Sequence, residues 1–218
     1  FNAPLSFETL IFPESIVIGD FNNDSYKDCL VTDSQNDISV ILLNSTDSDI
    51  FVFPGFISLI SLPTKATSAD FNNDGNLDFA CTYKNENGVY IYYGDGTGEF
   101  PRTSPFISVP SPDNILATDI NQDQKADLII SSIASGLNKL VVFLGTNAEF
   151  QTPRSFLIPA SNNSIQVGNL NGDCKLDIVS ANSNNTFSII RNDGNNAFLP
   201  SIEFSTVPNS KSLTINDY

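Results

Sequence analysis

A nine-residue acidic pattern recurs along the chain and constrains its fold more than any other feature of the sequence. The copies read DFNNDSYKD at 20–28, DFNNDGNLD at 70–78, DINQDQKAD at 119–127 and NLNGDCKLD at 169–177. Their first residues are separated by 50, 49 and 50 residues, and a further copy starts at Asp217. Self-similarity at a fixed period of this length indicates a repeat architecture.

The segments around each acidic loop recur as well. In the third copy a proline-led segment, VPSPDNILATDI, precedes and enters the loop, and the runs LIIS, LVVFLG and FQTPRSFLIP follow it. Runs of this kind are rich in β-branched and aromatic residues and are bounded by Asn, Gly, Asp, Ser and Pro, which is typical of strands and turns. No segment has the periodicity of a helix. The chain is therefore predicted to be all-β, with four strands in each unit.

Four antiparallel strands recurring about every fifty residues favour a β-propeller, in which each sheet buries both faces against its neighbours. We expect one repeat array over 1–218, with blades at 13–62, 63–109, 110–158 and 159–207. Residues 1–12 are expected to form a strand of the fourth type, and residues 208–218 to begin a fifth blade. These orphan strands leave the blade number open, since they could pair with each other or with other copies in a ring or fibre, or the chain could be part of a longer protein.

The pattern D-x-N-x-D-G-x-x-D at this period resembles the FG-GAP/VCBS-type repeat, the blade unit of integrin-α-like and other extracellular propellers. The resemblance covers essentially the whole chain. It implies that each acidic loop joins the first and second strands of a blade and binds one Ca²⁺, up to four in all. The implied side-chain ligands are Asp20, Asn22, Asp24 and Asp28; Asp70, Asn72, Asp74 and Asp78; Asp119, Asn121, Asp123 and Asp127; and Asn169, Asn171, Asp173 and Asp177. The implied main-chain carbonyl ligands, at the seventh position, belong to Tyr26, Asn76, Lys125 and Lys175.

The chemistry of the loops also favours calcium. Ca²⁺ takes six to eight oxygen ligands, and a tight loop with oxygens at positions 1, 3, 5 and 9 supplies them. Without an ion, the converging carboxylates would repel one another and their pKa values would rise. Eleven of the 25 acidic residues lie at positions 1, 5 and 9, and four bound Ca²⁺ would bring the formal charge from -15 to about -7. An acidic Asn/Asp turn without metal is the alternative for a single loop.

The four loops are not equivalent. Only loop 2 has glycine at position 6, Gly75, where a sharp turn favours it; the other loops carry Ser25, Gln124 and Cys174. Loop 4 has Asn169 where the others have aspartate, which leaves it two carboxylates. We therefore expect calcium affinity to be highest in loop 2 and lowest in loop 4.

The residue types that the sequence lacks exclude several kinds of catalytic and metal site. The sequence has no histidine, which excludes Ser-His-Asp and Cys-His nucleophile systems and the usual zinc sites. The glycine-rich stretch GDGTGEF at 94–100 lacks the lysine of a phosphate-binding loop and is read as a turn. A carboxylate pair for glycoside hydrolysis stays open among the remaining acids, although nothing singles one out. The chain is predicted not to be an enzyme.

Composition bounds partners and location. A pI near 4.1 disfavours nucleic acid and anionic membranes, and no apolar run approaches the ~18 residues of a membrane span. Calcium loops of modest quality fill best at millimolar calcium, which predicts an extracellular, secreted or cell-surface location. Asn44, Asn162 and Asn184 begin N-x-S/T sequons in predicted turns and are glycosylation candidates; Asn23, inside a loop, is a poorer one.

Three cysteines cannot all pair within one chain. Cys29 and Cys81 lie on the same face of equivalent strands and are expected to be small buried side chains, with a disulfide between adjacent blades as the alternative. Cys174, inside loop 4, is the candidate for a free or intermolecular thiol.

These features predict a non-catalytic extracellular calcium-binding propeller for adhesion, protein interaction or assembly, with an extracellular protein, a glycan or further copies of itself as partner. One alternative is a glycan-binding propeller that uses Tyr83, Tyr90, Tyr92 and Tyr93, for which strand packing is the competing interpretation. Another is a domain of a polysaccharide-active enzyme.

Overall fold

The computed structural model describes residues 11–35, 38–44, 51–147, 149–194, 197–207 and 212–215. Within these segments the chain is all-β, as predicted, and contains no helix. It follows that no helix in the described part of the chain could cross a membrane. The predicted strand at 1–12 and the predicted fifth copy at 208–218, with Asp217, fall mostly outside the described residues.

The strands form four antiparallel sheets, each built in chain order. Sheet 1 consists of β1 (Pro13–Gly19), β2 (Asp28–Asp33), β3 (Ile38–Asn44) and β4 (Phe51–Ser58). Sheet 2 consists of β5 (Ala66–Ala69), β6 (Asp78–Tyr83), β7 (Gly88–Tyr93) and a divided last strand, β8 (Arg102–Thr103) and β9 (Ile107–Ser108). Sheet 3 consists of β10 (Pro112–Thr118), β11 (Asp127–Ala134), β12 (Leu137–Phe143) and β13 (Arg154–Leu157).

Sheet 4 repeats this plan with one insertion. It consists of β14 (Asn162–Gly168), β15 (Asp177–Asn182), β16 (Thr186–Ile190) and β19 (Ile202–Ser205), and the hairpin β17 (Asn192–Gly194) and β18 (Ala197–Phe198) lies between the last two. In every sheet the acidic loop joins the first strand to the second. The residue before the loop pairs with position 9, as Gly19 does with Asp28 and Thr118 with Asp127. The predicted place of the loops is confirmed.

The cores lie between successive sheets, because consecutive residues of a strand point to opposite faces. On β6, Phe79, Cys81 and Tyr83 pack against sheet 1, whereas Ala80 packs against sheet 3. On β11, Leu128 and Ile130 face sheet 2 and Ile129 faces sheet 4. The second strands are thus buried on both sides, which explains why their sequences are continuous apolar runs and not alternating ones.

The tyrosines proposed for glycan binding are packing residues. Tyr83 and Tyr92 are fully buried and their hydroxyls are 2.6 Å apart, while the ring of Tyr92 stacks on Phe79. Tyr90 packs against the core between sheets 1 and 2, and Tyr93 against the core between sheets 2 and 3. Tyr83 and Tyr92 are therefore unavailable to a glycan, whereas Tyr90 and Tyr93 are partly exposed.

All three cysteines have free thiols. Cys81 is fully buried in the core between sheets 1 and 2, where burial raises the pKa of its thiol. Cys29 is half-buried on β2 and lies outside that core, so the two side chains do not meet. Cys174 is exposed, as predicted for a free thiol.

The two end sheets expose apolar faces that are covered elsewhere in the array. Ile16 of β1 is 63% exposed, whereas Ile165 at the same place in sheet 4 is 6% exposed and packs against sheet 3. On the far side of sheet 4, Ile202 and Phe204 are exposed, and residues 212–215 lie beside this face. The four described sheets do not close into a ring.

These equivalent isoleucines give a matched test of the array. Ile165→Ala should lower the free energy of unfolding by about 2–5 kcal/mol, because it opens a cavity between two sheets. Ile16→Ala should cost about 0.5 kcal/mol or less, since its side chain is exposed. Denaturant unfolding of both variants measures the difference. Equal losses would show that the outer face of sheet 1 is covered in solution.

Candidate metal centres

The aspartate at position 9 of each acidic loop is fully buried and accepts two main-chain hydrogen bonds. Its Oδ2 accepts the N–H of loop position 2, and its Oδ1 accepts the N–H of the residue that leaves the third strand. The N···O distances are 2.8 and 2.9 Å at Asp28, 2.8 and 2.9 Å at Asp78, 2.9 and 2.7 Å at Asp127, and 3.3 and 2.9 Å at Asp177. One carboxylate therefore fastens the acidic loop to the far side of its own sheet.

In loops 1 to 3 the ionised form of this carboxylate is penalised. Burial raises the pKa of Asp78 and of Asp127 to about 6, with repulsion from the carboxylates at positions 1 and 5 as a smaller cause, while the two N–H donors act in the opposite direction. Burial likewise raises the pKa of Asp28. The predicted repulsion among converging carboxylates is thus present in the first three loops. At neutral pH the carboxyls of Asp78 and Asp127 remain mostly ionised, because pH 7 lies above a pKa of about 6.

The side chains at positions 1, 3 and 5 hold the loop in a compact winding, which loop 2 illustrates. Asp70 accepts the N–H groups of Asp74 and Gly75 at 3.2 and 2.9 Å. The amide of Asn72 accepts the N–H of Asp74 at 2.9 Å and donates to its Oδ2 at 2.8 Å. Asp74 in turn accepts the N–H of Asn76 at 2.8 Å. Loops 1 and 3 contain the same bonds, so the predicted ligands at these positions lie together in one turn.

Loop 4 is held more loosely. Asn169 has a single side-chain oxygen, which accepts the N–H of Gly172 at 2.9 Å and not those of positions 5 and 6. Leu170 at position 2 is 42% exposed, whereas its counterparts in the other loops are buried. The Nζ of Lys175 lies 3.8 Å from the carboxylate of Asp173, and hydrogen bonding to the Lys175 N–H lowers the pKa of that carboxylate. The positively charged side chain of Lys175 therefore already lies beside loop 4.

Two positions in every loop have left-handed backbone. Position 6 has φ between +65° and +87°, as the glycine at Gly75 suggested from sequence. No atom lies within 4 Å of a Cβ placed on Gly75. Position 4 also has positive φ, which the sequence interpretation missed although Asn23, Asn73 and Gly172 are residues that tolerate it. Loop 2 has its glycine at position 6 and loop 4 has its glycine at position 4.

The donor set of the loops fits a hard cation. No three Asp, Glu, His or Cys side chains in the described segments are close enough to hold a metal by themselves. The amide oxygen at position 3 and the main-chain carbonyl at position 7 would have to complete the shell, as in a mixed-oxygen calcium loop. A carboxylate oxygen that accepts one N–H keeps a second lone pair for an ion. The ligands implied by the resemblance would hold Ca²⁺ in loops 1 to 3, and loop 4 offers two carboxylates.

The three sequon asparagines differ in access. Asn162 is buried, and its amide donates to the Oγ of Ser180 at 2.6 Å, which leaves no room for a glycan in the folded protein. Asn44 is half-buried, and its N–H bonds to Asp28. Asn184 is exposed, and its Oδ1 accepts the hydroxyl of Thr186, the sequon threonine, at 2.7 Å. Asn184 is the candidate whose side chain is accessible.

Comparisons with known proteins agree with the repeat. The family described as FG-GAP-like repeat matches three overlapping segments, 20–81, 70–130 and 119–179. A crystal structure of BBS1N in complex with ARL6DN, soaked with lead, aligns with a TM-score of 0.60 at 11% identity, over 88% of this chain and 57% of that one. The same complex soaked with mercury aligns with a TM-score of 0.59 at 12% identity, over 87% and 56%. No curated protein matches the chain.

The chain thus spans little more than half the length of those solved structures. At such low identity the likeness shows a common fold. It covers most of this chain and supports the assignment of the sheets as propeller blades.

Positions 5 and 9 should separate ion binding from folding. Asp127→Asn places an amide NH₂ against a main-chain N–H, so in chelator it should lower the free energy of unfolding by about 1–3 kcal/mol. Asp123→Asn, at the exposed position 5 of the same loop, should change it by about 0.5 kcal/mol or less. Urea unfolding in EDTA measures both. A large loss in Asp123→Asn would contradict the assignment.

The raised pKa values predict an unusual pH dependence without metal. A folded-state pKa of about 6 lies above the ordinary aspartate value of 3.8, so the folded protein binds more protons between these pH values. In EDTA, stability should therefore fall as pH rises from about 4 to about 6 and stay low at pH 7. Thermal unfolding at pH 5 and pH 7.5 tests this, and Asp127→Asn should flatten the trend.

Proposed function

Because the chain belongs to the FG-GAP-like repeat family, we propose that it is a non-catalytic, calcium-stabilised extracellular β-propeller module that mediates protein interaction, adhesion or assembly. The observation that carries this proposal is the repeated linkage at position 9. In each sheet the same buried carboxylate connects the acidic loop to the third strand, and in three loops it is repelled by its neighbours.

Calcium would act on that linkage. Bound in a loop, it supplies positive charge next to carboxylates whose ionisation is otherwise penalised. The side chains of Asp70 and Asp74 keep the loop in its compact turn. Asp78 connects this turn to the third strand, because it accepts the N–H of Gly94 at 2.9 Å. The ion would therefore stabilise a sheet and not a surface loop alone.

Protein interaction is supported by the fold and by the end faces. The BBS1N structures are complexes with a protein, ARL6DN, and this chain shares their fold over most of its length. Ile16, Ile18 and Phe204 are exposed, although the equivalent residues inside the array, Ile165, Val167 and Phe156, are packed, and Ile202 is exposed beside Phe204. We propose that these faces bind protein, including further copies of this chain.

An extracellular location is supported by two features. Loops with mixed amide and carboxylate donors and non-glycine residues at left-handed positions are suited to millimolar calcium, which is found outside the cell. The accessible sequon at Asn184 is compatible with secretion.

Calcium should raise the melting temperature of the protein relative to EDTA, because an ion that binds only the folded state stabilises it by mass action. Asp74→Asn in loop 2 should remove more of this rise than Asp173→Asn in loop 4, where a carboxylate is already missing and Lys175 is near. Calorimetric calcium titration of both variants gives the affinities. An unchanged melting temperature in calcium would refute the metal role.

The end faces predict self-association. Sedimentation of the purified chain at increasing concentration should show dimers or larger species, and Ile18→Lys should suppress them because it places a charge on the exposed face of β1. A control substitution, Thr152→Lys at an exposed position between β12 and β13, should leave association unchanged. A chain that stays monomeric at high concentration would contradict assembly through these faces.

A further inference from the structure

Neighbouring acidic loops are joined by side-chain hydrogen bonds at two of the three junctions. The Nδ2 of Asn23, at position 4 of loop 1, donates to the Oδ1 of Asn76, at position 7 of loop 2, at 2.9 Å. The Nε2 of Gln122, at position 4 of loop 3, donates to the main-chain oxygen of Cys174, at position 6 of loop 4, at 2.7 Å. In both cases position 4 of one loop reaches the second half of the next.

A second bond reinforces each of these junctions. The N–H of Gly98 donates to the main-chain oxygen of Phe21 at 3.0 Å, and the Nδ2 of Asn192 donates to that of Ile120 at 2.9 Å. The stretch 94–100, read from sequence as a plain turn, thus also contacts loop 1. A Cβ on Gly96 would come within 2.6 Å of both Asn76 Oδ1 and Asn23 Nδ2, so the glycine allows this close approach.

The bridging residues are placed to transmit ion binding. Asn23 stands between the implied ligands Asn22 and Asp24, in left-handed backbone with φ +59°, so its backbone cannot rotate without moving both. Asn76 carries the implied main-chain ligand of loop 2, and its N–H is held by Asp74. An ion that fixes residue 76 would therefore also fix the acceptor of the Asn23 amide.

On the proposed calcium function, we propose that Asn23 and Gln122 are positioning residues that couple ion binding in loop 1 to loop 2 and in loop 3 to loop 4, so that the four sites fill as two cooperative pairs. Filling one loop lowers the ordering cost of its neighbour, and this coupling acts equally in both directions.

The middle junction provides a control within the molecule. Asn73 occupies position 4 of loop 2 with nearly the same backbone, φ +57°, yet it makes no side-chain hydrogen bond to a described residue of loop 3. Position 7 of loop 3 is Lys125, whose side chain has no acceptor. Loops 2 and 3 should bind independently.

Terbium(III) tests the coupling, because its emission is sensitised by a nearby tyrosine and Tyr26 lies at position 7 of loop 1. Tyr93 adjoins Gly94, which binds the loop 2 carboxylate Asp78, so the measurement uses the full chain carrying Tyr93→Phe. Loop 1 affinity is read from the emission of this chain, first with loop 2 intact and then with Asp74→Asn, which weakens loop 2. The affinity of loop 1 should fall about two- to tenfold, the effect of one net hydrogen bond.

Two glycine variants locate the coupling. In Asn23→Gly the effect of Asp74→Asn should vanish, whereas in Asn73→Gly it should persist; glycine keeps the left-handed backbone in both. The coupling is overturned if Asp74→Asn leaves the affinity of loop 1 unchanged when Asn23 is present. It is also overturned if the effect of Asp74→Asn persists in Asn23→Gly. Either result leaves calcium binding intact. Absence of both terbium and calcium binding overturns the coupling together with the proposed function.

Discussion

The structure depends on one buried carboxylate that occurs four times. At position 9 of each acidic loop an aspartate gives one oxygen to the start of the loop and the other to the end of the third strand. A buried charge is tolerated only when hydrogen bonds compensate for its lost hydration. This aspartate has two such bonds, and they set the distance between the first and third strands on either side of the second.

That fixed geometry allows the sheets to stack. Because the second strand is held centrally, it can bury one row of side chains against the preceding sheet and the other against the following one. Phe79 and Ala80, adjacent on β6, serve two different cores in this way. Stability is therefore shared between repeats, whereas the charge repulsion in loops 1 to 3 stays within each loop. An ion would reduce the repulsion among the carboxylates of its own loop and leave the packing between sheets unchanged.

The sequence predicted what repeats within a unit. The period, the all-β class and the position of the loops follow from local patterns, as does the burial of Cys81, whereas Cys29, predicted to be buried too, is half-buried. It did not predict what depends on a neighbouring repeat. The burial of Asn162, the amide bridge from Asn23 and the fate of Tyr83 each require knowing which face of a strand meets which sheet. The sequence shows Lys175 two residues after Asp173, but it does not show that the side chain of this lysine lies beside that carboxylate.

The exposed isoleucines of the first sheet have a wider consequence. Each contact between neighbouring sheets packs an apolar face of one sheet against an apolar face of the next. No single contact therefore determines how many units the array contains. Duplication or loss of a fifty-residue unit in the gene would preserve apolar packing between sheets, although the hydrogen bonds between acidic loops would change. Chains of this kind can change length in evolution at little energetic cost, and their size is governed by curvature and by whatever terminates the stack.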